Sequence, residues 1–160
     1  MKVMIEKSAW EVLRREALIS FPNECVGFFI GYAGGFDGSI KISDIRPCRN
    51  MAKDSSILSS VSKRDTNKVL KECDRLNKKV ASGFFVGQYH SHPVTGNTGQ
   101  SQLDKSTGKR WKAYRHQLIM GLRSTSPLAI RKKFHYYDRK AKTWKAAEIV
   151  VGKNISLDYE

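Results

Sequence analysis

The sequence is poor in the features that would cross-link a chain or anchor it in a membrane. Its 160 residues include three cysteines, Cys25, Cys48 and Cys73, with no Cys-x-x-Cys spacing. That odd, scattered set argues against both a disulfide framework and a structural cysteine-bound zinc, and reduced, partly buried thiols are expected. No stretch approaches the roughly 18 consecutive apolar residues of a membrane span, and Met1-Lys-Val-Met-Ile is too short for a signal-peptide core. A soluble, cytoplasmic protein with no membrane partner is therefore expected. No internal repeat or low-complexity tract interrupts the chain, and its length suits one domain over residues 1–153 with a tail, 154–160, free to fray. Acidic residues are also scarce, with 15 Asp and Glu against 29 Lys and Arg for a net charge of +14.

What the chain does contain is a pair of histidines in Gly87-Gln-Tyr-His-Ser-His-Pro93. The preceding Ala81–His90 run is apolar and aromatic, which reads as a buried strand ending at the histidines. Residues i and i+2 of a strand share a face, so His90 and His92 point to one place, with Ser91 on the opposite side. Pro93 stops the ladder and turns the chain into a loop, Val94–Gln100. Ser101-Gln-Leu-Asp104 then has the form of a helix start, with Ser101 at the cap and Asp104 in the first turn. Three ligands, His90, His92 and Asp104, would leave one tetrahedral position of a divalent ion open, as in a catalytic site. Taken singly, each histidine also reads as a hydrogen-bonded strand residue and Asp104 as a helix cap.

The remaining pattern alternates. Lys7–Ser20 predicts an amphipathic helix, followed by strands at Cys25–Tyr32 and Ser39–Arg46 joined through Gly31, Gly34, Gly35 and Gly38. A polar stretch, Asn50–Ser62, leads into a helix over Arg64–Lys79. Beyond the histidine strand come a helix over Ser101–Tyr114 and strands near Gln117–Arg123, Ala129–Asp138 and Lys145–Val151, the last two forming a hairpin about Arg139–Lys142. The implied architecture is α/β, a single-domain sheet of mixed direction flanked by helices.

Far upstream, Phe21-Pro-Asn-Glu24-Cys-Val-Gly-Phe-Phe-Ile-Gly31 sets a lone acid at the mouth of an apolar strand. Glu24, then His90-x-His92-Pro93, then Ser101-x-x-Asp104 resembles the pattern of the JAMM proteases, the metalloenzyme branch of the MPN-domain family. The likeness extends to Ala17 and Pro22, to Pro-Cys-Arg-Asn50, and to Gln117–Leu122. It implies an MPN-type, cytidine-deaminase-like fold and one Zn2+ per chain held by His90, His92 and Asp104. It further implies that Glu24 is the general acid/base and that Ser101 stabilises the oxyanion, although Ser101 reads equally as a helix cap. The chain departs from the family in the interval 93–100, one residue longer than usual, and in Gln100 where a proline is usual. A gain of one residue beside Gly96 and Gly99 can bulge outward between fixed ends. A misplaced Asp104 would instead leave an inactive scaffold.

The resemblance implies a zinc-dependent isopeptidase or peptidase that removes or trims a ubiquitin-like modifier. Stand-alone prokaryotic relatives act beside activating and conjugating enzymes, some in anti-phage conjugation systems, and others process small sulfur-carrier proteins. The excess positive charge, concentrated in Lys105–His116 and Arg131–Lys145, should attract an acidic partner. Trp111, Tyr114, Phe134, Tyr136, Tyr137 and Trp144 lie in those segments and would suit nucleic acid, but in a hairpin and an amphipathic helix they read more readily as core and cross-strand pairs. A non-catalytic basic module binding nucleic acid or an acidic protein is the competing class. His116 and His135 have no assigned role.

Overall fold

The computed structural model describes residues 2–34, 39–56, 58–80, 83–111, 114–123 and 129–152. Gly35, Gly38, Ala81, Ser82 and the tail 154–160 therefore lie outside the described residues; the helix expected over Ser101–Tyr114 ends early, at Arg110, with extended Trp111 as its C-cap. The elements run β1 (Val3–Glu6), α1 (Lys7–Ser20), β2 (Val26–Gly34), β3 (Ser39–Cys48), α2 (Lys63–Val80), β4 (Phe84–His92), α3 (Gln102–Arg110), β5 (His116–Arg123), β6 (Ala129–Asp138), β7 (Thr143–Ala147) and β8 (Ile149–Gly152). Among the described residues, eight strands join one sheet in the order β7-β6-β5-β4-β2-β3-β1-β8, parallel at β4–β5, β1–β3 and β1–β8 and antiparallel elsewhere. The mixed direction and flanking helices are those expected from the pattern.

Two further expectations change. Val3–Glu6 is a strand, inserted between β3 and β8; a run of four residues leading straight into a helix carries no turn signal of its own. Lys145–Val151 is two strands rather than one. β7 pairs with β6 at one edge of the sheet, β8 pairs with β1 at the other, and Glu148 alone separates them. The sheet is thus curled until its two edges meet, and α1 lies in the curl.

Strand alternation sorts the core into two faces. Phe29 and Tyr89 pack with Leu13 and Ala17 of α1, whereas Phe28, Ile30 and Val86 pack with Val69 and Cys73 of α2. His90 and His92 share the α2 face with Val86, and Ser91 points the other way, as the period of two requires. The aromatics of the basic hairpin behave as structure: Phe134 is fully buried, and Tyr137 and Trp144 face each other across β6 and β7 with ring centroids 5.5 Å apart.

His116 stacks on Phe85 at 4.3 Å, and burial, with Arg115 beside it, holds its pKa down to about 4. The unfolded chain takes up that proton near pH 6.5 but the folded protein does not, so stability falls as pH drops from about 6.5 towards 4. His116→Phe is expected to remove about 2 kcal/mol of the loss at about pH 5. Urea midpoints of variant and wild type at about pH 5 and 7.5 check this, and an unchanged gap between the two pH values would refute it.

Candidate metal centre

The site forms where β4 ends. In the β2–β4 ladder Val26 pairs with His90, and continuing that register by two residues sets Glu24 across from His92. Ser91 fastens this end of the ladder: its N–H donates to the Cys25 carbonyl at 3.1 Å, and its hydroxyl accepts from the Cys25 N–H at 2.9 Å. Glu24, two residues ahead of β2, is thereby held close to the histidine pair at one end of the sheet. Asn50 steadies the other side of Glu24, donating to the carbonyls of Glu24 and Leu58 at 3.1 and 2.9 Å. The Glu24 N–H donates to Ser55 O at 2.5 Å.

His90, His92 and Asp104 each turn one ligand atom inward, and those atoms lie within 4.8 Å of one another. The two imidazole Nε2 atoms are 3.1 Å apart, and Asp104 Oδ1 is 3.4 Å from that of His90. Bonds of 2.0–2.1 Å to a tetrahedral ion require ligand atoms about 3.3 Å apart, so the donor set fits one such ion. His92 is oriented for this, since its Nδ1 lies 3.2 Å from the Asn97 carbonyl; a proton held there leaves Nε2 free to bind.

Asp104 answers whether it is cap or ligand by being placed for both. Oδ2 accepts from the Ser101 N–H at 2.7 Å and the Ser101 hydroxyl at 2.8 Å, while Ser101 Oγ accepts from the Asp104 N–H at 3.1 Å. This capping box fixes one carboxylate oxygen and turns the other towards His90. Burial pulls the Asp104 pKa upward, but the bond to and charge of His90, with the Ser101 bonds, outweigh it and hold the carboxyl well below its usual range. The Ser101 hydroxyl proton is committed to Asp104 in this arrangement. Glu24, only 5% exposed, is pushed up to about 7. Burial is the main cause, partly offset by His90, reinforced by the Asp104 charge and offset again by a bond from Ser59. A carboxyl in that range suits proton transfer near neutral pH.

Several residues that support the centre carried no recognisable signal in the sequence. Gln117 is fully buried and ties α3 to β5: its amide donates to the carbonyls of Asp104 and Tyr114 at 2.9 and 3.0 Å and accepts from Gln100 at 2.6 Å. Gln100 thus holds, by a hydrogen bond, the place where relatives have proline. The long loop is clamped. Gly96 N–H donates to His92 O at 3.1 Å, and His135 Nε2 lies 2.7 Å from Thr98 O. Gly96 has φ +62° and its backbone crosses directly over Gly121, where a Cβ would strike it. His135, unassigned from the sequence, anchors the loop.

Two clefts meet at the centre, one of about 220 Å³ between Glu24 and the 94–101 loop and one of about 80 Å³ towards α3. Glu24, His92 and Ser101 line both.

Residues 6–129, more than half of the chain, match the family of prokaryotic homologs of the JAB domain. The chain belongs to that family. Outside the matched part of this JAB-domain protein lie most of β1, most of β6 and all of β7 and β8. No curated protein matches it. Among solved structures it is similar to protein DSY2949 from Desulfitobacterium hafniense, determined in solution, with a TM-score of 0.70 and 18% identity over 99% of this chain and 98% of the other. At that identity the likeness supports the fold alone. Among the described residues no helix is long and apolar enough to cross a membrane.

Proposed function

We propose that this JAB-domain protein is a zinc-dependent isopeptidase or peptidase that cuts at the C-terminal tail of a ubiquitin-like modifier in the cytoplasm. What supports the reading is the convergence of a buried Glu24, its pKa raised to about 7, on a His90–His92–Asp104 donor set at the junction of two clefts. Zinc held by those three residues would polarise the scissile carbonyl and make water acidic. Glu24 would accept the proton of the attacking water and pass it to the leaving amine. Ser101, on exchanging its bond to Asp104, would donate to the charge developing on the carbonyl oxygen. A tail threading between Glu24 and the 94–101 loop must be thin, because loop backbone borders the cleft. Activating and conjugating enzymes of one pathway are the partners this reading calls for.

Metal analysis of the purified chain should give about one zinc. Cleavage of an isopeptide-linked conjugate should stop on chelation and return with added zinc, and a linear C-terminal fusion should be cut more slowly. Faster cutting of the linear fusion would favour carrier-protein processing instead. A chain that holds no zinc, cuts neither substrate and binds acidic partners would be a non-catalytic basic module.

A further inference from the structure

A second cavity, of about 190 Å³, lies at the other end of β4, about six residues back along the strand from His90 and so roughly 20 Å from the metal centre. Leu70, Phe84 and Val86 line it together with Arg115, His116 and Arg139. This is where the two basic segments of the sequence converge, Arg115 lying in the first and Arg139 in the second. The Nε of Arg115 is buried without an acceptor, and a buried donor left unpaired is costly until something accepts from it. His116 stays neutral near pH 7, since burial and Arg115 hold its pKa at about 4. Among the described residues Asp74 is the one acid of the lining, so two guanidiniums outweigh one carboxylate and the cavity favours an anion. Its size is also telling: an apolar cavity of about 150 Å³ holds benzene, so this one accommodates a single ring with a short charged arm. Arg139 lies beyond residues 6–129, outside the part matched to the family.

We propose that this cavity binds a small aryl carboxylate, with the ring against Phe84 and Val86 and the carboxylate on Arg115 and Arg139. Amide NMR of the full chain titrated with phenylacetate should show saturable shifts centred on Phe84–Val86 and Arg115–His116 at about millimolar ligand, the strength expected of so small a molecule. Phenylacetamide, of the same shape without the charge, should bind at least about tenfold more weakly, and Arg115→Gln should do the same to phenylacetate. Arg139 is exposed, so Arg139→Gln leaves the fold intact and should weaken binding about fivefold even if Arg115→Gln does not fold. Non-saturable shifts, shifts centred on His92 instead, equal affinity for the amide, or unchanged affinity in Arg139→Gln would each overturn the proposal.

Discussion

Glu24→Gln is expected to lower kcat by at least about 10³-fold while leaving the metal content unchanged. Glutamine keeps the size and the hydrogen-bonding reach of the side chain but cannot take a proton from water. Glu24 is not one of the three grouped donors, so its replacement leaves the donor set whole. The substitution also replaces a carboxyl whose charged form burial disfavours with a neutral amide, so the variant should be no less stable than wild type. Zinc content, melting temperature and single-turnover rate, measured on the same preparation, separate these effects. A variant that still turns over at a tenth of the wild-type rate would remove Glu24 from the mechanism. One that loses its zinc would make it a ligand instead.

Gly87→Ala should cost about 3 kcal/mol and lower Tm by roughly 6–12 °C. Gly87 stands opposite Phe29 in the β2–β4 ladder, and a Cβ at position 87 would overlap the Phe29 ring. That ring has nowhere to go. It is fully buried, with Phe85 and Phe134 at centroid distances of 6.2 and 6.0 Å. Adding Phe29→Leu to Gly87→Ala should therefore recover part of the loss, because the smaller side chain makes room for the methyl group. Chemical denaturation of the two single variants and the double variant checks this. Strictly additive losses would show that the overlap is relieved elsewhere and that Gly87 is not needed for packing. Because Gly87 lies on the strand that ends in His90 and His92, the same variant tests how firmly that strand is held.

Much of the centre is legible in the sequence, because its logic is local. Two histidines one residue apart on a strand must share a face, and Ser101 three residues ahead of Asp104 specifies a capping box. The order Glu24, His90, His92, Asp104 carried the family likeness. The limits of α1, β4 and β6 likewise follow from apolar periodicity and from Pro93 within a residue or three. What failed locally was β1, too short to show a period, and the single strand read over Lys145–Val151, where nothing in Ala147-Glu148-Ile149 marks a passage from one edge of the sheet to the other.

The sequence by itself determined which side chains could hold a metal, since spacing along one strand and one helical turn fixes where side chains point, and its resemblance to the JAMM pattern singled out Glu24 as the acid that could serve them. Only the tertiary structure decided the rest: that Asp104 can cap with one oxygen and face His90 with the other, that His135 and Gly121 clamp the lengthened loop, and that Arg115 and Arg139 line one cavity with Phe84. Those arrangements join residues tens of positions apart through strand pairing in a curled sheet, and no local pattern encodes which distant strands will lie side by side.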